Sequence, residues 1–136
     1  MTNLCLYTLL MTERELFEFV KTYIPDLQMS EYKFSKYDCY SEKYKLDIEL
    51  KCRRAHYDNL LIEWIKYDAL MQRAQNFNTK PLYINYTPAG IWAFYLSEFS
   101  PEWEDRDMPR TTDFSNNGRI SKRVGYLSID KGKKLR

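Results

Sequence analysis

The sequence predicts an α/β protein in which a mixed β-sheet is flanked by helices, and three observations predict it. Apolar residues recur at helical spacing over Glu13–Ile24 and again over Asn59–Phe77. Strand-like alternation runs through Tyr44–Cys52, and two short apolar runs, Leu82–Tyr86 and Ile91–Leu96, follow the second helix. The order helix, hairpin, helix, strand, strand places a strand–helix–strand connection through Asn59–Phe77, which predicts a right-handed crossover between parallel neighbours.

The first helix opens at Thr12-x-x-Glu15, a spacing that lets the Thr hydroxyl and the Glu carboxylate each satisfy a free backbone N–H. Leu16, Phe19, Val20 and Tyr23 then form its apolar face, and Pro25 ends it because proline cannot continue the hydrogen-bond ladder. Met1–Leu10 before it reads as a short strand or an added arm. The hairpin follows, with a first strand around Tyr32-Lys33-Phe34, a polar turn near Ser41–Lys43 and a second strand Tyr44–Cys52. In that second strand Leu46, Ile48, Leu50 and Cys52 face one side, and Lys45, Asp47, Glu49, Lys51 and Arg53 face the other.

The second helix is read over Asn59–Phe77 from Leu60, Leu61, Trp64, Tyr67, Leu70, Met71 and Ala74, with Trp64 as core. Thr87-Pro88-Ala89-Gly90 joins the next two strands as a turn. Ser97–Asn117 shows no period and carries Pro101 and Pro109, so it reads as a long excursion, with Glu102, Glu104, Asp105 and Asp107 as a solvated acidic loop in preference to a cation site. Arg119–Ile129 adds a last short strand.

The 136 residues suit one domain, 1–136, with a basic C-terminal end at 119–136. Net charge is only +2, but from Arg119 to Arg136 seven basic residues face a single acid, Asp130, an asymmetry that suits contact with a polyanion and equally a solvated charged end. Four scattered glycines exclude phosphate-cradling Gly-rich loops, and the single histidine excludes most zinc enzymes. Three cysteines without a CxxC pair indicate a reducing compartment. The longest apolar stretch, near Leu4–Met11, is too short to span a bilayer, so a soluble cytoplasmic protein with no membrane partner is expected.

One constellation can do chemistry. Asp38 lies across the hairpin from Glu49, and Lys51 shares the strand face with Glu49 and Asp47. Two carboxylates with a lysine suit a hard cation and a phosphate, the requirements of phosphodiester hydrolysis. The same alternation also describes the polar face of any half-exposed strand.

Tyr37-Asp38-x10-Glu49-Leu50-Lys51 followed by Cys52-Arg53-Arg54 resembles the D…(D/E)-x-K signature of the PD-(D/E)XK nuclease superfamily, in the small form found in phage and mobile-element nucleases and junction resolvases. The similarity spans about Glu13 to Leu96. It implies a restriction-endonuclease-like core, with Asp38, Glu49 and the backbone carbonyl of Leu50 as ligands of Mg²⁺ or Mn²⁺ and Lys51 acting on the attacking water. The superfamily's helix glutamate is assigned to Glu15, with Glu18 as its rival, and Asp47 is an extra acid near the metal or a solvated neighbour. Glu63-x-x-x-Tyr67 stands where many members carry Q-x-x-x-Y, which assigns Tyr67 to the site, although Glu replaces Gln and an aromatic at that spacing also suits the core.

Arg53, Arg54 and His56 follow the motif in a loop that either holds phosphates, together with Lys122 and Arg123 of the basic end, or is an ordinary surface loop. The function so implied is Mg-dependent hydrolysis of DNA, duplex or branched, in phage DNA processing or junction resolution, by a monomer or a homodimer. An RNA-directed nuclease would share the site. The alternative is a silent nuclease-fold module that binds DNA or blocks a host protein.

Overall fold

The computed structural model describes residues 10–31, 37–109 and 118–136. Among them two helices and nine strands run in the order α1 (Glu13–Lys21), β1 (Gln28–Met29), β2 (Cys39–Ser41), β3 (Leu46–Cys52), β4 (Asn59–Glu63), α2 (Trp64–Phe77), β5 (Lys80–Thr87), β6 (Gly90–Tyr95), β7 (Glu104–Pro109), β8 (Arg119–Ser128) and β9 (Lys133–Lys134). They build a six-stranded sheet, β1-β2-β3-β5-β6-β9, and a three-stranded one, β4-β8-β7. In the larger sheet β3 and β5 are parallel and every other pair is antiparallel. The expected mixed sheet with a helix crossover is therefore present.

β3 is buried on both faces, as a central strand flanked by helices must be. Ile48 and Leu50, with Leu82 and Ile84 of β5, pack under Leu16, Phe17 and Val20 of α1. On the opposite face Tyr83, Trp92 and Phe94 meet Leu70 of α2 and Leu60, Ile62 and Leu127 of the smaller sheet. The capping box at Thr12 forms as the sequence predicts, with Glu15 N donating to Thr12 Oγ1 at 3.1 Å and Thr12 N donating to Glu15 Oε1 at 3.2 Å. α2 stops at Asn78, whose left-handed backbone (φ 55°) lets its N–H reach the Ala74 carbonyl.

Four readings of the sequence need correction. The hairpin is present, but its described first strand is Cys39–Ser41, and the turn runs over Glu42–Lys45 with Lys45 at φ 54°. The strand expected around Tyr32-Lys33-Phe34 lies outside the described residues, as does the segment Met1–Leu10 except Leu10. Asn59–Glu63 is strand rather than the first turn of the helix, because Leu60 and Ile62 alternate inward and pair along β8. The excursion after Leu96 contains β7, whose acidic residues lie along basic β8: Asp105 opposite Arg123, and Asp107 ion-paired to Arg119 at 3.1 Å. Trp64 is half-buried under the Arg123 guanidinium rather than in the core.

The C-terminal end docks on the larger sheet. β9 pairs with β6, and Lys134 and Arg136 lie over the Trp92 and Phe19 rings. Gly90 makes this possible, since its φ of 156° suits glycine and a Cβ there would collide with the Arg136 carbonyl. No described helix is long and apolar enough to cross a membrane.

Candidate active site

The β2–β3 register, with Cys39 opposite Ile48, puts Asp38 opposite Glu49 when continued by one residue. Cross-strand neighbours on one face have Cβ atoms roughly 5 Å apart, so the two carboxyl groups are brought together by register alone. Asp38 is held firmly there. Its N–H donates to the Ile48 carbonyl and its carbonyl accepts from Ser30 N, both at 2.9 Å. Its side-chain Oδ2 accepts the Leu50 N–H at 2.7 Å, acting as a surrogate carbonyl where the β2 ladder ends. Lys51, two residues beyond Glu49 on β3, shares its face.

Burial and charge set the titration of the cluster. Glu49 is 8% exposed. Burial, and next the Asp38 carboxylate with which it shares a hydrogen bond, push its pKa up to about 7 against the partial opposition of Lys66. Lys66, from the first turns of α2, places Nζ 3.2 Å from Glu49 Oε2. Burial alone would lower the Lys66 ammonium, but Glu49, Asp38 and Glu63 together raise it. Lys51 is lowered, first by burial and then by Arg53. Glu13, at the first position of α1, is raised by burial and by Asp38, and Lys66 and Lys51 oppose the rise. Glu13 therefore stands within electrostatic reach of Asp38, Lys51 and Lys66.

Several predicted site residues are placed elsewhere. Glu15 is committed to the capping box and Glu18 pairs with Arg14 at 3.2 Å, so neither joins the carboxylates. Tyr67 donates its hydroxyl to the Phe99 carbonyl at 2.8 Å and packs edge-on against Trp103, away from the cluster. Glu63 bonds Lys122 at 3.0 Å. Asp47 is structural: it is 2% exposed and its Oδ2 accepts from Arg73 Nε at 2.9 Å and Thr79 Oγ1 at 2.6 Å. Leu50 supplies its N–H to Asp38 while its side chain is buried under α1.

The expected phosphate contacts divide as well. Arg53 is turned inward, donating to Asn85 Oδ1, the Leu61 carbonyl and the Tyr83 hydroxyl, which ties β3 to β5 and to the smaller sheet. His56 is held between Thr87 Oγ1 at 2.8 Å and Asp58 Oδ1 at 3.3 Å and lies against Trp92. Arg54 is exposed in the following loop. Lys122 is mostly buried against Glu63, and Arg123 is exposed above Trp64.

Sequence reasoning missed Glu13 and Lys66. A signal existed for Glu13: the capping box consumes Glu15, leaving Glu13 as the other acid of that first turn. For Lys66 there was none, since the start of α2 was itself hidden by β4.

The donors suit a hard divalent cation. Asp38 and Glu49 offer oxygen ligands that repel each other at close range, and a cation relieves that repulsion. Among the described residues no three His, Cys, Asp or Glu side chains form a cage, so water or substrate oxygens would complete the coordination.

No family model matches the sequence, and no curated protein matches it. Among solved structures, Hjc, a Holliday junction resolvase from the archaeal hyperthermophile Archaeoglobus fulgidus, aligns with a TM-score of 0.55 at 17% identity, over 90% of this chain and 88% of that one. With its mixed sheet, α1 on one face and α2 on the other, the chain has a restriction-endonuclease-like fold matching that of Hjc.

Proposed function

We propose that the protein is a divalent-metal-dependent DNA endonuclease acting on branched or duplex DNA within the cell, and that a junction is its preferred substrate. The observation that carries this reading is the convergence of Asp38, Glu49 and Lys51 on β2–β3, with Glu49 raised to about 7 beside Asp38. The likeness to Hjc, a Holliday junction resolvase, supports the substrate class.

Asp38 and Glu49 would hold Mg²⁺ or Mn²⁺, with the Leu50 carbonyl as a further ligand and Glu13 as the helix acid at its edge. Bound there, the ion would polarise the scissile phosphate and make its water a stronger nucleophile at neutral pH. Lys51, its ammonium already weakened by burial and by Arg53, orients the attacking water and faces the charge that builds on the phosphate. Asp38 keeps its aim because the Leu50 N–H fixes one oxygen. Arg54 and Arg123 are the exposed cations assigned to flanking phosphates, and two copies of the chain would cut the two strands of a junction.

The test is cleavage of supercoiled plasmid, linear duplex, single strand, four-way junction and structured RNA with Mg²⁺ or Mn²⁺. Lys51→Ala is expected to lower the rate by about 10²- to 10⁴-fold, the range of a lost acid–base group, with the fold intact by circular dichroism. Undiminished cutting by that variant would overturn the assignment. A folded parent protein that cuts no substrate would leave a DNA- or protein-binding module in its place.

A further inference from the structure

Asp47 and Glu49 lie two residues apart on one face of β3, and each is met by a cation from α2, yet the two pairs are built differently. Arg73 reaches Asp47 with a planar guanidinium held against the Tyr37 and Phe77 rings, 4.5 Å and 4.7 Å from their centroids. Thr79 donates to the same Asp47 oxygen, and the carboxylate is almost wholly enclosed. That pair is locked. Lys66 meets Glu49 with one ammonium at 3.2 Å, on a flexible four-carbon stem whose side chain is 49% exposed.

We propose that Lys66 is an exchangeable counter-cation: it occupies Glu49 Oε2 in the metal-free protein, yields that oxygen when a divalent cation loads, and then turns its ammonium to the phosphates of bound DNA. This rests on the reading of Asp38 and Glu49 as metal ligands. A divalent cation on Oε2 would repel the ammonium that already sits 3.2 Å from it, so loading at that oxygen displaces Lys66. The stem is half in solvent, so the ammonium can leave outward, toward the side from which a polyanion approaches. Metal and phosphate then assist each other, because phosphate stabilises the displaced ammonium, and the coupling is reciprocal. Lys66 is a positioning residue in this scheme.

The experiment is calorimetric titration of Mn²⁺ alone into the parent, Lys66→Met and Lys66→Arg proteins. In parallel, lysine acetylation is followed by mass spectrometry with and without saturating Mn²⁺. Lys66→Met is expected to bind Mn²⁺ about tenfold tighter than the parent, the effect of removing roughly 1.4 kcal/mol of competition, and Lys66→Arg to stay near the parent. Acetylation of Lys66 should rise several-fold with Mn²⁺ while that of Lys21 stays constant. Lys66→Gln repeats the measurement should Lys66→Met fail to fold. A parent that binds Mn²⁺ with affinity unchanged by loss of the ammonium, or with Lys66 labelling unchanged, overturns the exchange alone. Arg binding as tightly as Met overturns it too. A parent that binds no Mn²⁺ overturns the metal reading and this proposal with it.

Discussion

Glu13 and Glu15 separate two uses of a carboxylate on a single helical turn. Glu15 closes the capping box and Glu13 lies in the field of Asp38, so their substitutions should diverge. Glu13→Gln is expected to lower the cleavage rate or metal affinity by about 10- to 100-fold, as loss of a supporting group near a metal typically does, with little change in melting temperature. Glu15→Ala should leave cleavage intact and destabilise the fold by about 0.5–1 kcal/mol through the lost cap, read as a lower urea midpoint. Equal rates for Glu13→Gln and parent would remove Glu13 from the site. At this scale Asp38, Glu49 and Lys51 were legible because register and period-2 alternation are sequence properties. Arg53 and His56 were not, because whether a loop cation turns inward depends on partners such as Asn85 and Thr87, which are distant in sequence.

Elements announce themselves when burial is one-sided, and β4 and β7 show how that signal fails. Leu60, Leu61, Trp64 and Tyr67 fit a helical stripe across the β4–α2 boundary, so the strand was absorbed into the helix. β7 has no apolar period because its side chains are mostly exposed and it is held by its backbone ladder to β8. Leu70, fully buried where α2 meets both sheets, is the anchor of that helix. Leu70→Ala should destabilise by about 2–4 kcal/mol and lower the thermal midpoint by on the order of 10 °C.

Asp26 clasps the β2–β3 hairpin from the loop after α1, accepting from Ser41 Oγ at 2.7 Å and Lys43 N at 3.0 Å. Those two hydrogen bonds, the Ser41 one first, lower its pKa. A carboxyl lowered on folding stabilises the protein above its ordinary value of 3.8, and that contribution fades as pH falls through the lowered value. Asp26→Ala should therefore reduce the urea midpoint at pH 7, with the gap to parent closing progressively as the pH drops below 3.8. A gap constant across that range would mean the loop is held by something other than the ionised carboxylate.

For the whole molecule, metal loading should register as stability, since a ligand that binds only the folded state stabilises by about 2.7 kcal/mol at 100 times its dissociation constant. Millimolar Mn²⁺ is expected to raise the melting temperature by several degrees in the parent and not in an Asp38→Asn, Glu49→Gln double variant; an equal rise in both would place the cation elsewhere. The larger sheet and its helix crossover were readable from element order, whereas the smaller sheet was not, since it joins β4 to strands more than forty residues later. Arg53 bridges the two. One side chain next to the carboxylate strand grips the Leu61 carbonyl at the root of the smaller sheet and the Tyr83 hydroxyl in the larger one. The β7–β8 hairpin is thus a graft on a fixed rootstock. The exposed faces of β7 and β8 can be recharged by mutation while Asp38 and Glu49 keep their spacing, so descent could alter what the smaller sheet touches without rebuilding the carboxylate pair.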